Sequence, residues 1–440
     1  MTLESVFPGT GRETDMSGPL DGVVVLDLSR VLAGPWAGQL LADLGARVIK
    51  VEHPERGDDT RGWGPPWLEG GVSGEGGSEE GAERLAAYYL CANRGKQSLA
   101  VDIATEAGQA LVRRLAAGAD VVLENFKVGG LARYGLDHRS LKAVNPGLIG
   151  CSITGFGQDG PYAHRAGYDF MIQALGGLMS LTGEPDGMPM KTGVAITDVM
   201  TGLYAAVGVL AALYERQRGE KSERGEQAEQ SEERTEGRHI DVALLDVQLA
   251  TLANQALNAR VTGENPARHG NAHPNIVPYQ AFACADGYLV LTVGNDAQFA
   301  RLAELLGHPD WVDDPAFATN AARVAHREAL VLRIAEVFLS RPRDAWLADL
   351  EALGIPAGPI NTLTEAFDDP QVRHRGLCRS LAHADGRTVP QMANPLRFDG
   401  ESATSDCPPP GLGQDSDAVL AELGLDTEAI ARLRRLNIVR

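Results

Sequence analysis

Short apolar runs alternate with helical patterns through the first 155 residues, and this alternation constrains the fold more than any other feature. The strand-like runs are Val23–Leu28, Arg47–Glu52, Gln97–Ile103, Asp120–Asn125 and Leu148–Thr154. The helical patterns AGQLLADLG and EAGQALVRRLAAGA follow the first and third runs. Parallel strands read as continuous apolar runs because helices bury both faces of their sheet. The pattern therefore predicts an α/β fold with a doubly wound, Rossmann-like parallel sheet.

The sequence pattern changes beyond residue 275. Two β-like runs flank Ala-Asp-Gly in Tyr279–Gly294, which is a hairpin signal, and two helical patterns follow. This indicates a smaller α+β domain inserted before the chain returns to the large one. The predicted division is a disordered lead at 1–17, a large α/β domain at 18–214, an acidic flexible insertion at 215–238, a helix and linker at 239–278, the small domain at 279–375, and a linker with the C-terminal return at 376–440.

Two stretches flanking the acidic insertion are rich in apolar residues. Val194–Tyr214 is interrupted by Asp198, so we expect a helix buried in protein rather than a membrane span. Ile240–Leu257 is expected to form the next apolar helix. The insertion between them has almost no apolar residue to bury, which favours disorder over a solvated helix.

Charge and cysteine content narrow the function. The net charge of −19 argues against a nucleic-acid partner, which would require a basic face. The five cysteines lie far apart, which is typical of reduced thiols in a cytoplasmic protein. The first residues contain no basic segment followed by an apolar core, so no secretory signal is expected.

Two further motifs resemble a dinucleotide-binding site and a metal site, but their sequence context argues against both. Gly155–Gly160 reads GFGQDG, a dinucleotide-binding pattern that would suit an NAD(P)-dependent oxidoreductase. It follows the fifth predicted strand rather than the first, and Pro161 comes directly after it. His269 and His273 have the spacing of a metal pair, but Gly270 and Pro274 indicate a loop, and we expect no metal site.

Asp169 stands directly before the apolar segment MIQALGGLMSLTG. An aspartate in this position is either a helix N-cap or a functional carboxylate. The two roles are compatible, because a helix N-terminus stabilises the ionised form of a nucleophile.

Five segments jointly resemble the class III CoA-transferases, the CaiB/BaiF-like family that includes formyl-CoA transferase and carnitine CoA-transferase. They are Leu20–Arg61, ANRGKQSLAVDI, DVVLENFKVGGLARYGL, ITGFGQDGPYAHRAGYD and GLGQDSDAVLAELGL. Within the family, GDDTRGWGPP, GVAITDVMTGLYA and GIPAGPINTL are most similar to the succinyl-CoA–glutarate transferases. The resemblance implies that the large domain binds coenzyme A (CoA) and that the protein is an interlocked homodimer.

The resemblance also assigns site residues by position. Asp169 matches the family's catalytic aspartate. The positions matching CoA contacts are Arg30, Val31, Ala33, Lys96, Asn125, Phe126 and Arg133. His53 stands where some relatives have an arginine near the nucleotide. Acyl-CoA is then a substrate together with a small carboxylic acid, no cofactor is tightly bound, and no membrane partner is expected.

The implied reaction moves CoA from an acyl-CoA donor, succinyl-CoA or another dicarboxylic acyl-CoA, to a carboxylate acceptor through a covalent aspartyl intermediate. An α-methylacyl-CoA racemase is the alternative within the family, although racemases have His where this chain has Tyr168. A non-enzymatic acyl-CoA-binding protein would not need Asp169. Arg323, Arg327 and Lys191 are unranked candidates for a distal carboxylate, and the loop His269–Asn275 is a candidate for shielding the site from water.

Overall fold

The computed structural model describes residues 18–69, 84–226 and 236–440. The predicted lead at 1–17, most of the polar segment Glu69–Glu83 and residues 227–235 of the insertion lie outside the described residues. The strands are β1 (Val24–Asp27), β2 (Arg47–Glu52), β3 (Trp67–Leu68), β4 (Leu85–Ala86), β5 (Lys96–Ala100), β6 (Val121–Glu124), β7 (Ile149–Thr154), β8 (His239–Ala243), β9 (Tyr279–Cys284), β10 (Gly287–Thr292), β11 (Ala357–Pro359), β12 (Cys378–Ala382), β13 (Thr388–Met392), β14 (Arg397–Phe398) and β15 (Glu401–Ser402). The α-helices are α1 (Ala33–Asp43), α2 (Ala87–Leu90), α3 (Glu106–Gly118), α4 (His138–Lys142), α5 (Asp169–Leu175), α6 (Leu178–Leu181), α7 (Ile196–Glu226), α8 (Leu244–Thr251), α9 (Ala253–Thr262), α10 (Asp296–Leu305), α11 (Asn320–Ala325), α12 (Arg327–Phe338), α13 (Arg343–Ala352), α14 (Leu363–Asp368), α15 (Pro370–His374), α16 (Ser416–Glu422) and α17 (Thr427–Arg435).

Six parallel strands form the main sheet in the order β5-β2-β1-β6-β7-β8. The chain therefore builds outward from β1 in one direction and then from β6 in the other, which is the doubly wound arrangement. The five predicted strands are confirmed. The strand order reverses between β1 and β6, and ligands of such sheets bind at the carboxyl ends of the strands beside this point.

Helices cover both faces of the sheet because successive strand residues point to opposite sides. The two sets are Val25, Val48 and Val121 on one face, and Leu26, Ile49 and Val122 on the other. The first set packs with residues of α1 and α7, and the second with residues of α3, α16 and α17. This double burial is the physical reason for the continuous apolar runs in the sequence.

The sixth strand corrects the expectation of one helix at Ile240–Leu257. Residues His239–Ala243 pair in parallel with β7, and the helix begins only at Leu244. β8 lies at the sheet edge, and His239 and Asp241 are exposed while Val242 and Ala243 are buried. Such a short, half-buried strand is not distinguishable by periodicity from the first turn of the helix that follows it.

The acidic insertion is helical in its first half, which corrects the expectation of disorder from residue 215. Helix α7 continues from the apolar segment through Glu226. Gln, Glu, Lys and Arg are good helix formers, and extending an existing helix costs far less than nucleating a new one. Arg216 also ties the segment to the sheet, because its guanidinium lies 2.6 Å from the Asp120 carboxylate.

The part Ile196–Arg218 of α7 is long and apolar enough to cross a membrane by length and composition. This is weak evidence for a span, because a core helix of a soluble protein meets the same criterion. Ala205 and Val209 of this helix belong to the buried core against the sheet. One side of α7 is thus occupied by protein.

Contacts divide the chain into two compact units. Of the described residues, the first takes in those within 18–176, 193–253 and 374–440, and it contains the main sheet. Within it the C-terminal segment joins the sheet, since the Ser98 amide donates to the Asp415 carboxylate at 2.9 Å. The second takes in Gly177–Thr192 and Asn254–Arg373.

The second unit is built around a three-stranded antiparallel sheet with the order β11-β10-β9. The hairpin expected in Tyr279–Gly294 is present as β9 and β10. Phe282, Leu289 and Leu291 pack against Phe299 and Ile334 of the covering helices. The predicted domain boundaries at 279 and 375 stay predictions.

Candidate active site

A cavity of about 180 Å³ opens at the carboxyl ends of β1, β6 and β7, beside the point where the strand order reverses. Its position agrees with the rule for ligand sites in open α/β sheets. The lining residues with charged or polar side chains are Arg30, Asp59, Asn125, Lys127, Thr154, Arg165, Tyr168 and Asp198. The cavity therefore combines cations suited to phosphates with at least one carboxylate.

The loop after β1 is held in a fixed conformation. The Asn125 side chain accepts from the Arg30 amide at 2.9 Å and donates to the Arg30 carbonyl at 2.6 Å. Val31 has a φ of 72°, which is uncommon for a β-branched residue, and its amide donates to the Asp58 carboxylate. The loop therefore presents its backbone to the cavity in one arrangement imposed by neighbouring side chains.

Two buried ion pairs lie beneath this loop. Lys50 lies 2.8 Å from Asp58 and Lys96 lies 2.9 Å from Asp27, and all four side chains are fully buried. Burial acts to raise the pKa of Asp58, but the Lys50 ammonium and the hydrogen bonds from Thr60 outweigh it and lower the pKa to about 2. Burial lowers the pKa of Lys96 to about 8 in spite of Asp27. These charges order the loop from below.

Asp169 is the first residue of α5, and its carboxylate is already occupied. One oxygen accepts the backbone amides of Thr197 at 2.8 Å and of Asp198 at 3.4 Å, at the start of α7. The other accepts the Gln173 side-chain amide at 2.6 Å. Asp169 is 9% exposed and is absent from the cavity lining. Its carboxylate thus acts as a cap on the first turn of the next long helix.

Asp198 was missed as a functional residue in the sequence, where it reads only as an interruption of an apolar stretch. It lies in the first turn of α7 and lines the cavity. Among the described residues, no hydrogen bond or ion pair reaches its carboxylate. Burial raises the pKa of Asp198, and the negative charge of Asp169 raises it further, to about 7. A carboxylate without partners in a cavity, with a pKa near neutrality, has the properties of a reacting group.

Asp198 and Asp169 are both aspartates that accompany apolar helical segments in the sequence. Asp169 is the first residue of α5, Asp198 lies in the first turn of α7, and the two helices pack against each other. Two carboxylates in one place with different surroundings are typical of an acid–base or nucleophile pair. Their proximity follows from the fold and is not visible in the sequence.

The other residues assigned by resemblance fall into two groups. Arg30, Val31, Ala33, Asn125 and Phe126 all line the cavity. Their contact with CoA stays a prediction, and their convergence supports it.

Three positions lie outside that lining. The Lys96 ammonium is fully buried and bound to the oxygens of Asp27, Pro35 and Asn93, which leaves no surface for a phosphate. Arg133 is exposed and its guanidinium lies 4.4 Å from the centre of the Tyr134 ring. His53 accepts the Glu55 amide at 3.2 Å. Lys96 is thus suited to supporting the loop after β1 rather than to binding CoA directly.

The three candidates for a distal carboxylate belong to the second unit and have backbone partners. Arg323 is buried and donates to the carbonyls of Val277 and Phe317, besides pairing with Asp296 at 2.7 Å. This use of its guanidinium excludes Arg323 as a ligand for substrate.

Arg327 and Lys191 are engaged in a similar way. Arg327 donates to the carbonyls of His273 and Pro274, and Lys191 donates to the Thr192 carbonyl. The Gly270 amide donates to the Gly183 carbonyl, so the loop His269–Asn275 is anchored at both ends within its unit. Its part in shielding the site stays a prediction.

The glycine motif at Gly155–Gly160 is not a dinucleotide site in this fold. It follows β7, and the residues after it form turns until Asp169 rather than opening a helix. A helix N-terminus is what would hold a pyrophosphate there. In the part of the chain that the structure describes, no group of three or more His, Cys, Asp or Glu is arranged to hold a metal ion.

A larger cavity, of about 470 Å³, lies at the opposite edge of the sheet, where β7 and β8 begin. Its cations are paired, Lys142 with Glu236 at 2.8 Å and Arg238 with Glu215 at 2.6 Å. Ligand sites of such sheets lie at the carboxyl ends, so the smaller cavity is the better candidate.

Comparison with known proteins decides the family. Residues 20–416 match the family model for CoA-transferase family III. The chain belongs to this family. The class III CoA-transferases most similar to it include the succinate–glutarate CoA-transferase of Agrobacterium fabrum, at 50% identity over 413 residues, which are 93% of this chain and 98% of that one.

A mammalian relative and a solved structure agree with this. The succinyl-CoA:glutarate CoA-transferase of Mus musculus is 41% identical over 428 residues, covering 96% of this chain and 92% of the relative. The crystal structure of a CaiB/BaiF family protein from Brucella suis is 50% identical with a TM-score of 0.78, covering 93% of this chain and all of that chain. This class III CoA-transferase thus shares its fold with the CaiB/BaiF proteins.

Proposed function

We propose that the enzyme transfers CoA from succinyl-CoA, or another dicarboxylic acyl-CoA, to a second carboxylic acid through a covalent aspartyl intermediate. The names of the Agrobacterium and mouse relatives support these substrates. The geometry favours Asp198 as the nucleophile and Asp169, the residue assigned by resemblance, as the group that positions it. The observation that carries this choice is that Asp198 lines the cavity without a partner, whereas the oxygens of Asp169 accept three hydrogen bonds.

The chemistry requires only a carboxylate and the exclusion of water. An oxygen of the nucleophile attacks the thioester carbonyl, the carbon–sulfur bond breaks, and CoA leaves as the thiolate from a mixed anhydride. The thiolate then attacks the aspartyl carbonyl, which releases the donor acid and leaves an aspartyl–CoA thioester. The acceptor carboxylate repeats both steps in reverse order. Each intermediate is hydrolysable, so the cavity must be closed to water during turnover.

The surroundings of Asp198 suit a nucleophile. A carboxylate with a pKa near 7 is more nucleophilic than one with an ordinary pKa, because nucleophilicity rises with basicity. Hydrogen bonds would lower that basicity, and none reaches Asp198 among the described residues. Asp169 instead fixes the backbone of Thr197 and Asp198 and so sets the position of the attacking group.

Trapping with hydroxylamine tests the proposal. Incubation of the enzyme with succinyl-CoA followed by hydroxylamine is expected to convert one aspartate to its hydroxamate, which adds a fixed mass to one peptide. The modification is expected at Asp198, and omission of succinyl-CoA is the control. A hydroxamate at Asp169 would support the assignment by resemblance instead, and none at either residue would contradict the covalent mechanism.

We also propose that the enzyme is a homodimer, interlocked as the resemblance implies. An apolar face on α5, α7 and α8 supports a subunit interface, since Phe170, Leu175, Tyr204, Val207 and Leu249 are all exposed within the first unit. Faces of this kind usually mark an interaction site. Sedimentation at nanomolar concentration is expected to give about twice 46.8 kDa with no folded monomer. An active monomer would contradict the dimer but not the chemistry.

A further inference from the structure

The cavity holds a cation that the CoA contacts do not account for. Arg165 lines it on the segment that leads from β7 to Asp169. Arg30, by contrast, pairs with Asp59 at 3.1 Å, and Lys127 directly follows the predicted CoA contacts Asn125 and Phe126. Among the described residues, no ion pair or hydrogen bond occupies the guanidinium of Arg165.

Aromatic rings hold the Arg165 side chain in place. Its guanidinium carbon lies 4.6 Å from the centre of the Tyr162 ring and 5.7 Å from that of Phe156. These two rings pack edge to face at 5.5 Å, and the Arg165 amide donates to the Tyr162 carbonyl at 2.9 Å. Stacking uses the face of a guanidinium and leaves the N–H groups at its edge free for a planar, bidentate anion such as a carboxylate.

Arg165 lies near the proposed reacting group, because both line the same small cavity. Tyr168 follows Arg165 by three positions, and an extended segment of that length spans at most about 10 Å. Tyr168 and Asp198 both line the cavity. A four- or five-carbon diacid with one carboxyl group at Asp198 therefore has its other carboxylate in the same cavity of about 180 Å³ that Arg165 lines.

We infer that Arg165 binds the distal carboxylate of a dicarboxylic substrate, an inference that rests on the CoA transfer between acids proposed above. Arg165 then determines specificity for diacids over monoacids. It replaces Arg323, whose guanidinium is fully used inside the second unit. A CoA phosphate offers an anion of related chemistry, so the test must separate the two.

The test compares glutarate with valerate as acceptors, because these acids have the same chain length and differ in the distal carboxylate. In a ping-pong reaction, kcat/KM for the acceptor reports only on the second half-reaction, so the donor does not enter the comparison. For Arg165→Gln we expect kcat/KM for glutarate to fall about 10- to 100-fold, the range of lost hydrogen bonds to a charged group. The value for valerate is expected to change less than about threefold, and Arg165→Lys to fall between the wild type and Arg165→Gln.

Arg218→Gln is the matched control. Arg218 is also exposed and stacks on a tyrosine, with its guanidinium carbon 5.8 Å from the centre of the Tyr214 ring, but it lies outside the cavity. This variant is expected to leave kcat/KM unchanged for both acids.

Three outcomes would overturn the inference. Equal losses for glutarate and valerate in Arg165→Gln would indicate a structural role. A loss of CoA affinity in calorimetry with unchanged acid preference would assign Arg165 to a phosphate. A wild type without preference for glutarate would exclude a distal-carboxylate subsite. Hydroxylamine trapping of the aspartyl intermediate in the same variant keeps a failure of this inference distinct from a failure of the proposed mechanism.

Discussion

Replacing Asp198 by Asn or Ala is expected to lower kcat by on the order of 10⁴-fold, the size of effect seen when a nucleophile is removed. Asn has nearly the same shape but cannot form the anhydride or the CoA thioester. CoA affinity is expected to stay within a few-fold, because the predicted CoA contacts are the loop after β1 with Asn125 and Phe126, and Asp198 is not among them. Steady-state transfer from succinyl-CoA to glutarate and calorimetry with CoA measure the two quantities.

Asp169→Asn is the matched comparison for Asp198→Asn. Asn at 169 keeps an oxygen that can accept the Thr197 amide, now bound at 2.8 Å, so a positioning role should be partly retained. We expect a loss of about 10- to 100-fold, the range for residues that orient another group. A near-complete loss in Asp169→Asn together with substantial turnover in Asp198→Asn would contradict the assignment and identify Asp169 as the nucleophile.

The difference between the two aspartates could not be predicted from the sequence. Asp169 stands before an apolar segment and reads as a cap or a functional group, whereas Asp198 reads only as an interruption of an apolar stretch. The difference arises from tertiary structure: α5 begins beside the first turn of α7, so the amides of Thr197 and Asp198 are satisfied by Asp169. Once one carboxylate caps α7, the other is left facing the cavity.

The strands of the parallel sheet could be predicted from the sequence where helices bury both of their faces. β1, β2 and β6 contribute residues to the cores on both faces, which favours apolar residues at successive positions of a run, such as Val48 and Ile49. β8 has one free edge, and its exposed Asp241 accepts the Gln158 amide of the loop after β7. Because this partner is distant in the sequence, the polar Asp241 breaks the apolar pattern, and the strand could not be predicted from the sequence.

The buried ion pairs beneath the loop after β1 could also not be predicted from the sequence. Lys96 in KQSLA reads as a surface lysine or a phosphate ligand, because its counterion, Asp27, is 69 residues earlier. Likewise, Asp58 appears in the sequence as part of a charged turn, yet it lies fully buried against Lys50 and accepts the amide of Val31. Motif resemblance located the loop after β1, but only the fold shows what fixes its conformation.

The pH dependence of the reaction follows from the pKa of Asp198. Burial and the charge of Asp169 raise this pKa to about 7, so the carboxyl is mostly protonated at pH 6 and mostly ionised at pH 8. Only the ionised form attacks a thioester, so kcat/KM is expected to rise about tenfold between these pH values, as a single ionisation at pKa 7 requires. Asp169→Asn removes the second of the two causes and is expected to move the midpoint of the profile to lower pH.

The same pKa predicts how stability depends on pH. The pKa of Asp198 in the folded protein is raised above its ordinary value of 3.8, so ionisation in the cavity is unfavourable for folding. This contribution to stability is fully present below pH 3.8 and is lost as the pH rises through about 7. Asp198→Asn cannot ionise, so its melting temperature is expected to exceed that of the wild type at pH 8 and to match it at pH 4. A kcat/KM that falls as the pH rises from 6 to 8, or a melting temperature at pH 8 no higher in Asp198→Asn than in the wild type, would contradict a raised pKa at the nucleophile.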